Sequence, residues 1–311
     1  MALSRKFHWV LVNRDRTPDI PKRFTVHAYP SLITLGNKQE KIHRFQGYKK
    51  PEEFKKQLED ALRRNNLYLQ GKEWNTPDER PATICDEGTV ESFPAPAEDV
   101  PSGITLWGGK IWIAQGGKLY AVDPKDGKTA EPVDLPESVR ALCTDGKRLF
   151  AMEYGWTAGK PIHVLDAATG KVTRAIVTKA NQENRSMGAA GIAWRDGKLY
   201  VLAGMRGLIH EIDPKTGDVT RTLDTGVRWL SALAYDGRQF IAGSRKALYF
   251  LDPQSGRVTR RIEVHYPLRA LAAQGGSLYL MEQPIFGHDK DHKRIRIWPK
   301  KTLVYKLTLE K

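Results

Sequence analysis

One sequence pattern recurs about five times between Ser102 and Leu307, and no other feature of the chain constrains its fold as strongly. Each copy contains a short apolar strand, an Asp-Gly-type turn, a strand with an aromatic end and an Asp-Pro-x-x-Gly turn. Two of the copies read AGIAWRDGKLYVLAGMRGLIHEIDPKTGDV and SALAYDGRQFIAGSRKALYFLDPQSGRV. A single copy cannot bury its own apolar face, so successive copies must stack on one another. The periodicity therefore predicts a β-propeller.

Five four-stranded blades account for the copies. They align on an aromatic residue that recurs about every forty residues, within the range of propeller blades: Trp112, Phe150, Tyr200, Phe240 and Tyr279. The last copy has three strands, the third being LVYKLTL, and lacks a fourth. Because GTVESFPAP at residues 88–96 matches the fourth strands of other copies, we expect it to complete the last blade and remove an exposed sheet edge.

The charge and composition of the chain limit the classes of partner and the cellular location that we expect. The 311 residues carry a net charge of +14, but Lys and Arg are spread over both halves of the chain, which argues against a nucleic-acid partner. No stretch approaches the roughly eighteen apolar residues of a membrane span. The residues after Met1 also lack the hydrophobic segment of a signal peptide. As written, the sequence predicts a cytoplasmic protein, and an exported one if the true start lies upstream.

The residues before the repeats predict a small α/β unit. FHWVLVNRD at 7–15 is a strand candidate, and TPDIPKRFTV at 17–26 favours a short helix with a proline near its start. HAYPSLITL and EKIHRFQGY, separated by GNKQ, have the spacing of a hairpin. PEEFKKQLEDALRR then places Phe54, Leu58 and Leu62 on one face of a helix.

These elements resemble the C-terminal half of a thioredoxin-like domain, over roughly residues 3–66. The resemblance rests on VNRDRTPDIPKRFTVHAYPSLITL and GNKQEKIHRFQGYKKPEEFKKQLEDAL, and it implies a cis peptide bond before Pro30 in the YPS triplet. The family's CxxC motif and first strands would precede Met1. The chain holds only Cys85 and Cys143, far apart in sequence, so as written it cannot carry out dithiol exchange.

A change of composition separates the two parts of the chain. Residues after RRNN are rich in proline, charge and small side chains, as linkers usually are. We therefore expect a partial thioredoxin-like α/β domain at 1–66, a linker at 67–84 and a five-bladed propeller at 85–311. The fold class predicted for the whole chain is mainly β.

The turns of the repeat predict structural aspartates. Asp-Gly pairs are typical of hairpin turns, and the outer turns begin with aspartates that bond their own backbone: Asp123, Asp166, Asp213 and Asp252. The outer turns resemble those of bacterial quinoprotein-like or NHL-like propellers. No set of carboxylates and asparagines marks a lactonase metal centre, and the sequence predicts no cofactor.

The candidate binding residues lie at one end of the predicted channel, which we call the channel mouth. There, the start of each innermost strand and the end of the next strand open on the same face, which is the default binding site of a propeller. The strand ends supply Ser102, Gln115, Arg140, Glu153, Ser231, Arg269 and Glu282, and loops on the same face supply Trp156, Arg206, Arg228, Trp229 and Arg245.

Two interpretations of these charges stay open. Arginines grip carboxylates or phosphates through two parallel hydrogen bonds, so Arg140 and Arg269 could orient an acidic peptide or a small polar or anionic ligand. Alternatively, the two arginines could form ion pairs with Glu153 and Glu282 and plug the channel. Paired carboxylates alone do not specify a reaction, so no catalytic residue is predicted.

The longest insertion within a blade, residues 287–301, is predicted as a solvated loop over the channel. His288 and His292, with Asp289 and Asp291, could ligate a divalent metal. Loop histidines flanked by charge are more often solvated, so no metal is predicted and the two histidines are its weak candidates. The basic residues of the insertion could contact an acidic partner.

Three functions follow from these features. The first is a non-catalytic binding protein whose channel mouth holds a protein partner or a small polar ligand. The second is a thioredoxin-family thiol-disulfide oxidoreductase whose CxxC half is missing from this chain. The third is a propeller hydrolase or lyase with Glu153 and Glu282 as acid and base.

Overall fold

A computed structural model of the chain describes residue 8 and residues 31–35, 41–46, 50–70, 84–97, 99–135, 139–153, 161–166, 168–178, 188–288, 294–298 and 302–309. The chain divides into two compact units, Met1–Arg80 and Pro81–Lys311. In the part that the structure describes, no helix has both the length and the apolar character needed to cross a membrane.

The first unit contains a hairpin and a helix. Strands β1 (Ser31–Leu35) and β2 (Lys41–Gln46) pair antiparallel, and helix α1 (Pro51–Leu69) follows. Proline at the start of α1 and acidic residues in its first turn suit a helix N-terminus. The predicted strand at 7–15, the predicted helix at 17–26 and Pro30 lie outside the described residues.

Helix α1 is longer than the sequence pattern predicts, and it ends three residues beyond the predicted domain boundary at 66. Leu58 is buried and Phe54 and Leu62 are half-buried, as the predicted apolar face requires. Leu67 and Tyr68 are also half-buried. Packing of this last turn therefore outweighs the two asparagines, which by propensity favour ending the helix earlier.

Five four-stranded antiparallel sheets form the second unit, as the repeat predicts. Blade 1 contains β4 (Pro101–Trp107), β5 (Lys110–Gln115), β6 (Lys118–Val122) and β7 (Val133–Asp134). Blade 2 contains β8 (Val139–Thr144), β9 (Leu149–Glu153), β10 (Ile162–Leu165) and β11 (Val172–Ile176). Blade 3 contains β12 (Ala189–Arg195), β13 (Lys198–Ala203), β14 (Leu208–Ile212) and β15 (Val219–Asp224). Blade 4 contains β16 (Ala232–Tyr235), β17 (Phe240–Gly243), β18 (Ala247–Leu251) and β19 (Val258–Glu263).

Blade 5 joins the two ends of the propeller. Its order is β20 (Leu268–Gln274), β21 (Ser277–Glu282), β24 (Leu303–Thr308) and β3 (Thr89–Pro94). Strand β3, within the segment 88–96, pairs antiparallel with β24 from Thr89↔Thr308 to Pro94↔Leu303. The fourth strand of the last blade thus comes from the start of the unit, which covers the edge of β24.

The hydrophobic core lies between neighbouring blades. Five clusters of buried residues each bring together side chains of two consecutive blades, including the closing pair of blades 5 and 1. Between blades 2 and 3, for example, Phe150 stacks on Trp194 with ring centroids 5.1 Å apart. This packing arranges the innermost strands β4, β8, β12, β16 and β20 around a central channel.

The aspartates of the turns have the predicted structural role. In the outer turn of blade 3, the Asp213 carboxylate accepts a hydrogen bond from the Lys215 N–H at 2.8 Å, and its main-chain carbonyl accepts one from Gly217. Gly217 has φ of 75°, a left-handed conformation that glycine adopts without strain. The equivalent carboxylates Asp123, Asp166 and Asp252 accept comparable bonds from Lys125, Ala168 and Gln254.

The insertion between β21 and β24 differs from its prediction as a loop. Strands β22 (Ile285–His288) and β23 (Arg294–Trp298) pair antiparallel within it. The alternating residues of RIRIW have the period of a strand, and pairing with Ile285–His288 satisfies backbone groups that a loop would leave to solvent. His288 lies in β22, whereas Asp289, Asp291 and His292 lie outside the described residues.

Candidate functional site

The structure places the predicted strand ends at the channel mouth. Strands β5, β9 and β21 end at Gln115, Glu153 and Glu282, as the repeat alignment predicts. Ser102, Arg140, Ser231 and Arg269 lie within one residue of the starts of β4, β8, β16 and β20. Trp156 lies outside the described residues.

The two arginines of the channel mouth bind main-chain carbonyls of other blades. Arg140, which is buried, donates to the carbonyl of Ser231 at 2.8 Å and to that of Arg269 at 3.4 Å. Arg269 donates through Nε to the carbonyl of Pro101 at 3.3 Å. These bonds connect blade 2 to blades 4 and 5, and blade 5 to blade 1, so both arginines fasten the propeller together.

The two glutamates of the channel mouth bond to side chains of their own blades. Glu153 Oε1 lies 2.6 Å from Nε2 of His163 on β10, and Glu282 Oε1 accepts a hydrogen bond from the Tyr305 hydroxyl at 3.2 Å. Both carboxylates are buried. Nδ1 of His163 is buried without a hydrogen-bond partner in the described part of the chain.

The remaining polar residues of the channel mouth also bond to the backbone. Ser102 donates to the Ala114 carbonyl at 2.9 Å, and Ser231 donates to the Leu268 carbonyl at 2.6 Å. The Gln115 amide donates to the carbonyls of Ala97 and Asp99, which fixes the connection between β3 and β4. The gap in the channel beside Ser102 and Arg269 measures about 10 Å³, room for roughly one water molecule.

A larger cavity opens at the opposite end of the channel, which we call the turn end because the turns that follow the innermost strands lie there. Its volume is about 410 Å³, within the usual range of small-molecule sites. All five innermost strands contribute to its wall, and no charged residue lines it within the described part of the chain. Three aromatic residues, Trp107, Trp194 and Tyr235, lie on the wall together with the polar residues Thr105, Thr144 and Gln274.

The aromatic residues of this cavity are held in place. The Trp107 indole donates to the carbonyl of Gly146 in the neighbouring blade at 2.9 Å. Trp194 stacks on Phe150 of the preceding blade with an interplanar angle of 14°. The Tyr235 hydroxyl donates to the Gly237 carbonyl at 3.0 Å. The aromatic wall is therefore formed before any ligand binds.

The cavity at the turn end was not predicted, although the sequence carries a signal for it. Trp107, Trp194 and Tyr235 each stand at or next to the end of an innermost strand. The charged residues of the sequence point to the channel mouth instead. In the folded chain those charges bind backbone or neighbouring side chains, whereas the turn end stays open.

The predicted loop residues of the channel mouth form a separate surface. Arg206 and Arg245 are exposed in the β13–β14 and β17–β18 connections, and Arg228 and Trp229 are exposed in the β15–β16 connection. Trp229 has 65% of its surface exposed and a φ of 63°. A positive φ at a bulky residue other than glycine is uncommon and carries strain.

Within the described residues, no three side chains of His, Cys, Asp or Glu gather in an arrangement that could hold a metal ion. The side chain of His288 and the whole of His292 lie outside that part of the chain.

Comparison with known families agrees with the propeller. The family described as Outer membrane protein assembly factor BamB matches residues 89–226, which extend from β3 to β15. No curated protein matches the sequence. With the five sheets, the family match supports a five-bladed, quinoprotein-like β-propeller.

Several solved structures match this chain at low sequence identity. Myxococcus xanthus glutaminyl cyclase has a TM-score of 0.54 and 14% identity, over 71% of this chain and 96% of the cyclase. The PQQ-bound aldose sugar dehydrogenase of Streptomyces coelicolor has a TM-score of 0.44 and 14% identity, over 72% of this chain and 99% of the dehydrogenase. At such identities the likeness to the cyclase shows the fold and not the reaction.

Proposed function

We propose that this chain is a non-catalytic binding protein that holds a small polar ligand in the cavity at the turn end of its propeller. The observation that carries this proposal is a 410 Å³ cavity walled by all five blades and by three aromatic residues. Concave sites with an aromatic lining and a few polar groups are typical of ligand sites. Here the ligand site lies at the opposite end of the channel from the predicted one.

The wall of the cavity favours an uncharged ligand. Each innermost strand is the last strand of its sheet, so one edge of its backbone has no sheet partner and can offer N–H and C=O groups to a ligand. Thr105, Thr144 and Gln274 line the cavity as polar residues, and Trp107 and Trp194 line it as apolar ones. A molecule with hydroxyl or amide groups and one flat face fits this wall.

The acidic residues of the channel argue against acid-base catalysis. Glu153 and Glu282 lie at the channel mouth, where they bond to His163 and Tyr305. Neither glutamate lines the cavity at the turn end. The two glutamates that the hydrolase or lyase hypothesis names are therefore not placed to act on a ligand in that cavity.

For the first unit we propose a partial thioredoxin-like domain without exchange activity. Its hairpin β1–β2 followed by α1 agrees with the order that the resemblance implies. Cys85 and Cys143, the two cysteines of the chain, are buried. Burial raises the pKa of both thiols, which disfavours the reactive thiolate.

The name of the matching family refers to outer-membrane protein assembly, which is compatible with the exported location and with a protein partner. The surface that suits a protein partner lies at the channel mouth, at the other end of the channel from the cavity.

A ligand-observed NMR screen of small polar molecules against the full chain tests the proposal. We expect molecules that give saturation transfer to the parent protein to lose it in Trp194→Ala, because Trp194 lines the cavity. Trp229→Gly is the matched control, since it removes an exposed tryptophan at the other end of the channel. A screen without binders, or binders that Trp194→Ala does not affect while its melting curve stays cooperative, would contradict the proposed function.

A further inference from the structure

We propose that Arg206, Arg228, Trp229 and Arg245, which we call the Trp229 patch, bind an acidic segment of a partner protein. In the bound state an apolar side chain of that segment packs on the Trp229 indole, and carboxylates of the segment bind the arginines. This site is distinct from the cavity at the turn end, because the patch lies on connections at the channel mouth.

The strong exposure of Trp229 supports this proposal. In the described part of the chain, six large hydrophobic residues are exposed, and Trp229, at 65%, is the most exposed of them and the one aromatic residue. A tryptophan buries a large area when it is covered, and tryptophan and arginine dominate the binding energy of protein interfaces. An exposed tryptophan beside arginines therefore has the composition of an interface centre.

The backbone on either side of Trp229 is held by hydrogen bonds and close packing. The next residue, Leu230, is buried, and its N–H donates to the Gly204 carbonyl at 2.9 Å. The Thr225 hydroxyl donates to the Gly207 carbonyl at 2.7 Å. A Cβ at Gly204 or Gly207 would collide with the carbonyl oxygens of Leu230 and Val227, so the two connections fit closely.

These contacts hold Trp229 outward in its left-handed conformation. The positive φ turns its side chain away from the core that Leu230 enters. Strained, over-determined backbone of this kind clusters at binding sites. Because the indole is presented on a rigid loop, a partner orders little of the backbone when it binds.

The charge of the patch identifies the chemistry of the partner. Arg206, Arg228 and Arg245 are exposed on three neighbouring connections, and exposed Lys246 follows Arg245. Two acidic residues lie near these connections: Asp224 accepts a hydrogen bond from the Gly226 N–H at 2.9 Å, and Glu263, paired with Ala247, lies 3.0 Å from Nη1 of Arg261. Arginine binds carboxylates through two parallel hydrogen bonds, and a basic surface accelerates the approach of an acidic one. The chain as a whole is also basic, at +14.

A protein segment fits the patch better than a single-stranded nucleic acid. Proteins that bind nucleic-acid strands stack successive bases on several aromatic side chains along a groove. Here one indole projects from the surface, and no second exposed aromatic accompanies it among the residues whose side chains the structure describes. The patch can cover one apolar side chain flanked by carboxylates.

Selection of random dodecapeptides displayed on phage against the full chain tests the proposal. We expect the enriched peptides to be rich in Asp and Glu and to contain an aromatic or aliphatic residue. The most enriched peptide, labelled with fluorescein, is then titrated with each variant by fluorescence anisotropy. We expect Trp229→Gly and Arg228→Glu each to weaken its binding about tenfold or more, and added salt to weaken it further.

Two control variants separate the patch from other causes. Arg257→Glu makes the same charge change at an exposed residue in the β18–β19 turn, and Trp194→Ala alters the cavity at the turn end; both should bind the peptide as the parent does. Glycine adopts a positive φ without strain, so Trp229→Gly keeps the loop conformation. Enriched peptides without acidic residues, no enrichment, or equal binding to Trp229→Gly would overturn the proposal. Trp229-dependent binding of an oligo(dT) probe in place of the peptide would also overturn it.

Discussion

Arg140 on β8 donates a 2.8 Å hydrogen bond to the main-chain carbonyl of Ser231, 91 residues further along the chain. The bond crosses the channel from blade 2 to blade 4, and the same guanidinium also reaches the carbonyl of Arg269 in blade 5. A residue that the sequence presents as a ligand-binding cation thus holds three blades together.

Replacing Arg140 with methionine should destabilise the propeller. Methionine fills similar space but donates no hydrogen bond, so the carbonyls of Ser231 and Arg269 lose a charged donor. We expect the free energy of unfolding in urea to fall by about 2 kcal/mol, and Arg257→Met, at an exposed position, to leave it nearly unchanged. An Arg140→Met protein as stable as the parent would show that these bonds contribute little.

The left-handed backbone at Trp229 predicts that glycine is the more stable replacement there and alanine the less stable one, the reverse of the order at an ordinary residue. Glycine adopts a φ of 63° without strain and alanine adopts it only at a cost, so Trp229→Gly should be more stable than Trp229→Ala by about 1 kcal/mol. At Arg228, which has no positive φ, the alanine variant should be the more stable one. Urea denaturation of the four variants measures both differences, and the same order at both positions would contradict the backbone conformation.

The two cysteines should be unreactive in the folded chain. Burial and the nearby Asp145 raise the pKa of Cys143 well above its usual range, and burial raises the pKa of Cys85. We expect neither thiol to react with Ellman's reagent under mildly alkaline conditions until guanidinium unfolds the protein, because the thiolate is the nucleophile. A thiol that reacts rapidly in the native protein would return thiol-disulfide exchange to consideration.

The outer-turn aspartate Asp252 should make the propeller sensitive to acid. A hydrogen bond from the Ser255 hydroxyl, together with one from its N–H, lowers the pKa of Asp252 below its ordinary value. A lowered pKa means that the folded state favours the ionised form. This stabilisation is fully present above about pH 4, the pKa in the unfolded chain, and it is lost as the pH falls through the folded pKa.

Asp252→Asn tests this linkage, because asparagine keeps the shape of the side chain without its charge. We expect the variant to melt at a lower temperature than the parent at neutral pH, and the two melting temperatures to converge as the pH falls through the lowered folded-state pKa of Asp252. Thermal unfolding followed by circular dichroism at several pH values provides the measurement. A difference that stays constant with pH would exclude the ionised carboxylate as its source.

Because β3 closes blade 5, we expect a charged substitution at one residue of β3 to lower the stability of the protein strongly. Val90 pairs with Leu307 and packs against the cluster between blades 4 and 5. Val90→Asp places a charge against that cluster and should lower the free energy of unfolding by about 2 kcal/mol. Glu91→Gln is the control, since Glu91 is exposed, and urea denaturation of both variants distinguishes closure from a surface effect.

The repeat by itself determined the propeller, its five blades and the ends of its second strands, because each copy carries the same alternation and the same turn residues. The match of residues 88–96 to the other outer strands likewise indicated where the ring closes. Local pattern was less informative at α1, which continues to Leu69 because its last turn packs. It was also less informative at Ile285–His288 and Arg294–Trp298, which pair as two antiparallel strands.

Only the tertiary structure decided which end of the channel is open. Sequence reveals that Arg140, Glu153, Arg269 and Glu282 stand at strand ends, but their hydrogen-bond partners belong to other strands and, for both arginines, to other blades. Those partners close the channel mouth. The cavity at the turn end depends on how the five blades pack around the channel. The outward position of Trp229 depends on one backbone angle, its φ. The sequence alone predicts neither of them.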